Sequence, residues 1–471
     1  MTAPLTAPRT APAGEPLPVP FTGGRAGEAP LTWGQRAIWH AIRRTAPNDH
    51  YFNLGRVLPL ADRGTPVDVP RLTTALTALM ERHESLRTRV VTDYEGDTRQ
   101  QLHATGTIDL TVHDDAHPDA LLTELVGRRF DYAEEWPVRF AAVRSGGRIT
   151  HVVLALCHLA SDGHGAEVLV RDLRLLVRRG SAGPACPDTP YDLAHRQHSP
   201  AGRRTSAASL ALWERGLREV PPTMFARPVA EPSTPRWWQG RLVSAALPRA
   251  VDALAARHRV SGSTVLLTAA AALVAASQGH PAAAVMPIAG NRAGADRHNL
   301  VSTLSQDALF VLRMPDDPAT TFTGLLADAW PAALAGYRAA SYDPADCDAL
   351  RERVSRERGT EIHPYCCFND MRLVDRPPTA RPAPDAAEPA ELRSRTTLDF
   401  ASKEELVACR YCVHVSGDST ALTVTLMADT VYLPPPAIHA QLRAIEEVVV
   451  SSAFGTPPTL AQLPDLLEDR P

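Results

Sequence analysis

The residues best suited to chemistry fall in one stretch, Leu156-Cys157-His158-Leu159-Ala160-Ser161-Asp162-Gly163. The apolar run at 151–157 predicts a strand ending at His158, and helical periodicity resumes at about residue 165. A side chain at a strand end has a fixed backbone and a ring free to project into a cleft. Neutral imidazole, with an ordinary pKa of about 6.5, accepts a proton from an attacking amine or hydroxyl near neutral pH. Asp162 lies past the bend, which suits a structural ion pair holding the loop better than direct acid–base work. Gly163 reads as a position of positive φ or of close approach by the following helix. Cys157 precedes His158 on the strand, so alternation turns it into the opposite layer as a packing residue rather than a nucleophile.

Other constellations point nowhere as specific. Cys409-Arg410-Tyr411-Cys412 with His414 has the composition of a metal site, but residues three apart on a strand face opposite sides, and Cys366-Cys367 has the same difficulty. No metal site is therefore expected. His195 and His198 read as surface residues, and Trp237-Trp238 as a local packing anchor. The chain has no G-x-S-x-G elbow, Walker loop or G-x-G-x-x-G, so hydrolase, NTPase and dinucleotide readings lack support.

The elements that must position His158 follow from periodicity. Thr32 is placed to cap a helix in which Ile38 and Ile42 share a face with Gln35, with Trp39 one residue round. A helix over 69–83 carries the stripe Leu72, Leu76, Leu79 and Met80, and 86–91 reads as a strand followed by a turn at 94–97. A helix at 121–128, strands at 138–143 and 151–157 joined by a hairpin at 145–148, and a helix at 165–179 complete a first lobe. A Pro/Gly/Cys stretch at 180–190 marks a boundary. Beyond it, helices are predicted at 206–219, 248–258, 263–278, 322–337 and 435–451, with strands at 283–289, 308–312, 365–369, 411–415 and 422–427. The Pro/Ala-rich stretch 376–389 is expected to be an exposed mobile loop. The resulting division is a disordered tail at 1–30, a lobe at 31–182 and a second at 190–471, both α/β.

Bulk properties agree with such a protein. A chain of 471 residues predicts two or three compact units, and 44% apolar composition supplies their cores. A net charge of -4 gives no general attraction to nucleic acid or anionic lipid, and no window has the roughly 18 apolar residues of a membrane span. Seven scattered cysteines and the lack of an export signal predict reduced thiols and a cytoplasmic location.

Taken together, the motifs resemble those of nonribosomal peptide synthetase condensation domains, of the chloramphenicol acetyltransferase-like superfamily. Cys157 to Gly163 is similar to that family's H-H-x-x-x-D-G signature. Leu31 to Trp39 is similar to its first motif, and Arg82-His83-Glu84-Ser85-Leu86-Arg87-Thr88 to its R-H-E-x-L-R-T. Tyr191-Asp192-Leu193-Ala194 looks like its Y-x-D-F-A segment shortened by one residue, and Met286 to Arg292 resembles its P-x-A-N-R segment.

The resemblance implies an α/β fold of two acetyltransferase-like lobes in a V-shaped pseudo-dimer, the catalytic loop at their junction and two tunnels leading to it. It implies a free-standing acyltransferase, monomeric and with no bound cofactor, acting in natural-product biosynthesis. The enzyme would form an amide or ester between an acyl or aminoacyl group, held as a thioester on the phosphopantetheine arm of a carrier protein, and a small amine or alcohol. His158 takes the position of the catalytic histidine and Asp162 of the structural aspartate. Gly163 takes that of the residue whose N–H helps hold an oxyanion, and Arg87 and Arg292 are the candidate partners of Asp162.

This sequence departs from the family pattern where Cys157 replaces the first signature histidine. It departs again where D-F-G-W-G is absent, with Phe368 to Arg372 nearby, and where Val301-Ser302-Thr303-Leu304-Ser305-Gln306-Asp307 replaces G-x-F-V-N-T. Two other readings stay open: a catalytically silent module that recruits a carrier or partner enzyme, and an acyl-CoA-dependent transferase.

Overall fold

The computed structural model describes residues 14–60, 66–92, 96–372 and 388–468. The chain forms two compact units, one running to Arg204 and including Gly290–Ser305, the other comprising Thr205–Ala289 and the chain from Gln306 on. The boundary thus falls inside the helix Pro200–Glu219 rather than in the Pro/Gly stretch expected to separate the lobes, and a sixteen-residue excursion from the later sequence belongs to the first unit.

The first unit is built on a five-stranded sheet in the order Glu15–Thr22, Thr105–Asp114, Val138–Ser145, Arg148–Leu156, Leu54–Pro59. Its two faces can be read along Arg148–Leu156. Val152, Leu154 and Leu156 face the helices Val69–Arg82 and Gly163–Arg179, packing with Leu72, Leu76, Leu79 and Leu173. Val153 and Ala155 point the other way, onto Leu121 and Leu125 of the helix Pro118–Val126. A three-stranded sheet, Gly27–Pro30, Thr98–Leu102, Thr88–Thr92, flanks this core. The strand predicted at 86–91 begins later, because Glu84–Arg87 first makes a 3-10 turn.

The stretch assigned to a disordered tail is ordered from Gly14 onward, as the strands Glu15–Thr22 and Gly27–Pro30; positions 1–13 lie outside the described residues. Pro16, Pro18 and Pro20 are exposed and alternate with Leu17, Val19 and Phe21, of which Val19 and Phe21 are buried. This is an edge strand paired on one side only, where prolines at every second position cost no ladder bond. The predicted turn at 94–97 lies half outside the described residues, with Gly96 at positive φ, and the loop expected at 376–389 lies outside them up to residue 387, after which the helix Glu388–Ser394 begins.

The second unit holds an eight-stranded sheet with the order Gln306–Asp307, Ala282–Ala289, Cys366–Asp370, Tyr411–Gly417, Leu422–Asp429, Trp237–Ser244, Thr397–Glu404, and Phe310–Arg313 also pairing with Ala282–Ala289. Helices Ala246–His258, Gly262–Gln278, Phe322–Arg338 and Pro435–Phe454 pack on it. Among the described residues no single helix is long and apolar enough to cross a membrane. The bent pair Ala246–His258 and Gly262–Gln278 has the necessary length and composition, but Leu254, Leu266 and Leu267 bury it in this unit's core. Reduced thiols were expected throughout. Cys367 and Cys412 instead form a disulfide, because they are register partners on adjacent parallel strands, a proximity their separation of 45 residues conceals.

Candidate active site

His158 follows the strand Arg148–Leu156 and is half-buried. Its Nδ1 lies 3.4 Å from the Thr303 hydroxyl, which itself donates to the His158 carbonyl oxygen. Since the Thr303 proton is committed to that carbonyl, its oxygen offers Nδ1 only a lone pair. This contact favours the proton on Nδ1, with Nε2 as the acceptor. Burial pushes the His158 pKa below its usual value, against the opposing pull of its own backbone and the Asp162 charge, so the ring is neutral at pH 7.

Asp162 does not face the histidine as an acid. It is the N-cap of the helix Gly163–Arg179, where Oδ1 accepts from the Gly165 N–H at 2.9 Å and from Arg292 at 2.6 Å. Its Oδ2 accepts from the Leu304 N–H at 3.0 Å. The ion pair is nearly closed to solvent, with side chains 8% and 6% exposed. Arg292 extends the clamp to the carbonyls of Leu300, at 2.6 Å, and Ser302, at 3.1 Å. Of the two arginines expected near Asp162, only Arg292 pairs with it. Arg87 is buried elsewhere, donating to the carbonyls of Arg25 at 2.9 Å and His103 at 2.7 Å, with Glu84 at 3.6 Å.

The glycines divide sharply. Gly163 was expected to serve positive φ or a close helix approach, yet its φ lies outside the left-handed range and an added Cβ would meet open space. Gly165 is the crowded one: a Cβ there would lie 2.5 Å from Ser161 Oγ and 3.4 Å from Asp162 Oδ1. Gly34 is required in the same way, since a Cβ would come 2.3 Å from the Thr303 carbonyl oxygen. The glycine before Gln35 thus lets the 301–304 segment lie against the helix Trp33–Thr45. Gln35 completes a capping box with Thr32 and reaches the Leu159 carbonyl at 3.4 Å, steadying the loop from the other side.

Cys157 points away from His158, as alternation requires, into a cluster with Leu31, Ile42, Phe130 and Leu159. Burial pushes its thiol up to about 12, which keeps it protonated and inert. The Arg82 to Thr88 segment buttresses the helix that follows the loop. Arg82 Nε and His83 Nε2 meet the buried Asp172 at 2.8 and 3.2 Å. Asp192 receives Arg25 at 2.9 Å, fastening the helix Pro190–Gln197 to the chain just before the strand Gly27–Pro30 within the same unit. Phe368, in the stretch nearest the missing D-F-G-W-G, lies in the second unit's core, with Asp370 and Arg372 paired beside it at 2.8 Å. Thr303, which sequence reasoning did not single out, falls in the segment that departs from the family pattern.

The chain matches the condensation domain family model over residues 25–338, and it belongs to that family. CymA of Salinispora arenicola, described as a probable non-canonical nonribosomal peptide synthetase, is 31% identical over 351 residues, covering 69% of this chain and 4% of that protein. The chain thus spans a small part of this relative. The fold is that of solved condensation domains. The condensation domain of the monacolin K polyketide synthase MokA superposes with a TM-score of 0.70 at 18% identity, covering 93% of this chain and all of that one. SgcC5 from Streptomyces globisporus gives 0.67 at 16% identity, covering 91% and 99%.

Proposed function

We propose that this chain is an acyltransferase that joins a thioester-bound acyl or aminoacyl group to a small amine or alcohol in natural-product biosynthesis. The observation that carries the reading is the placement of His158 after the strand Arg148–Leu156, with Nδ1 3.4 Å from the Thr303 hydroxyl and its pKa lowered by burial, which together favour a neutral ring with Nε2 as the acceptor. As the acceptor nitrogen or oxygen attacks the thioester carbon, Nε2 takes its proton. The new C–N or C–O bond forms, the C–S bond breaks, and the proton passes to the departing thiolate. The first N–H groups of a helix have no partner within it, so the Gly163 N–H at the start of Gly163–Arg179 suits a developing oxyanion, and the space above its Cα leaves room for the carbonyl. Asp162 and Arg292 are positioning residues that hold the loop.

Family membership favours a donor carried on the phosphopantetheine arm of a carrier protein, which is a substrate here rather than a resident cofactor. The chain is read as acting with such a carrier as its partner, as a monomer in the cytoplasm. Mixing the protein with acyl-loaded carrier and candidate amines or alcohols, and following product and freed carrier by intact mass, tests the reading. Acyl transfer dependent on the protein supports it; an unchanged acyl carrier across acceptors and donors that bind the protein overturns it.

A further inference from the structure

Three sulfurs meet on one face of the second unit's sheet. Cys367 and Cys412 face each other across adjacent parallel strands with Cα atoms 4.5 Å apart. Cys409 lies two residues before the strand Tyr411–Gly417, and the three Sγ atoms are all within 4.8 Å of one another. The objection from sequence, that residues three apart on a strand face opposite sides, fails for two reasons. Cys409 is not on the strand, and the third sulfur comes from a neighbouring strand.

The loop bearing Cys409 is held firmly. Trp237 Nε1 donates to the Cys409 carbonyl at 2.9 Å, the Asp429 N–H to the Arg410 carbonyl at 3.1 Å, and the N–H groups of Arg410 and Tyr411 to the Tyr365 carbonyl at 3.0 and 3.2 Å. Cys366, on the opposite face, is wholly buried and stands outside the group. Cys367 and Cys409 are half-buried, which leaves an ion a way in.

We infer that in the reduced protein Cys367, Cys409 and Cys412 bind a thiophilic d10 cation, zinc(II) or copper(I), through three thiolates. A dithiol or phosphine reductant supplies the two electrons that open the Cys367–Cys412 disulfide, and two protons complete the thiols. The three thiols then release three protons as three metal–sulfur bonds form. Zinc–sulfur bonds of about 2.3 Å set tetrahedral sulfurs about 3.8 Å apart, which requires the Cys367 and Cys412 sulfurs to move out of bonding contact once reduced, with water in the fourth position for zinc. Copper(I) accepts three soft ligands with none further. Either ion fastens the Cys409 loop to the strands Cys366–Asp370 and Tyr411–Gly417.

The test uses the full chain, reduced with a phosphine and desalted without oxygen, then titrated with zinc(II) or copper(I) against a chromophoric chelator. One equivalent of at least one ion should bind and raise the melting temperature. Cys409→Ser should weaken binding by about tenfold or more, a loss at least equal to that of an outer-shell partner, while Cys186→Ser should not. No uptake of either ion by the wild type, or equal binding by Cys409→Ser, overturns the inference. Should Cys409→Ser fail to fold, alkylation of the wild type decides. Metal should protect Cys367, Cys409 and Cys412 together, and protection of a different set overturns the site.

Discussion

Arg292 and Asp162, 130 residues apart in sequence, meet at 2.6 Å and pin the 290–305 segment to the start of the helix that follows His158. Because both side chains are almost fully buried, removing one charge strands the other. Asp162→Asn and Arg292→Ala should each destabilise the protein by about 3–5 kcal/mol, and their effects should be strongly non-additive. Denaturant unfolding of the two single variants and the double variant measures this. Additive losses would show that the pair does not hold the fold, and a fully stable Asp162→Asn protein that is inactive would assign Asp162 a direct chemical role.

Gly163 and Gly165 should respond to the same substitution in opposite ways. Gly165→Ala crowds Ser161 Oγ and the Asp162 carboxylate and should lower the melting temperature. Gly163→Ala meets nothing in the protein, so the fold should keep its stability while turnover falls as the methyl enters the space assigned to the thioester carbonyl. Thermal melts beside kcat/KM separate the two. A destabilised but fully active Gly163→Ala protein contradicts the assignment.

Most of the loop around His158 was legible in the sequence, because a strand end, a charge past a bend and a helix start are local patterns. Thr32 as a cap, the Leu72 to Met80 stripe and the inward turn of Cys157 were legible for the same reason. The choice of Arg292 over Arg87 was not, since it depends on where a distant segment folds back. Thr303 was hidden for the same reason. The edge strand Glu15–Thr22 was missed because its prolines outweighed a signal that was present: Leu17, Val19 and Phe21 alternate at the period of a strand.

If the proposed role of His158 is right, the pH profile should report a neutral imidazole, and the Thr303 hydroxyl beside Nδ1 should affect the rate. Activity requires neutral His158, whose pKa burial lowers, so kcat/KM should rise with pH and level off with a midpoint below about 6.5. Thr303→Val removes the hydroxyl and should cost about threefold to tenfold in kcat, the worth of a hydrogen bond of about 1 kcal/mol. A rate unchanged in Thr303→Val, or a profile that falls between pH 5 and 7, would contradict this role.

Acid should also unfold the protein through its histidines. Burial lowers the pKa of His83, His158 and His414, so below about 6.5 the unfolded chain binds protons that the native state refuses. Their stabilising contribution is complete above the unfolded-state value and is lost as pH falls through it toward the lowered native values. Stability by urea unfolding should therefore decline from pH 7 to pH 5. A flat profile over that window would show that these histidines do not control acid stability.

The rate of acyl loss from a loaded carrier in the presence of acceptor decides whether His158, rather than its neighbour Cys157, drives acyl transfer. His158→Ala should lose about 100-fold or more in that rate while keeping its fold, the contribution expected of a general base. Cys157→Ala should lose stability by roughly 1–3 kcal/mol at its buried position and transfer acyl groups at close to the wild-type rate. A well-folded Cys157→Ala protein without activity, beside an active His158→Ala protein, would contradict the account.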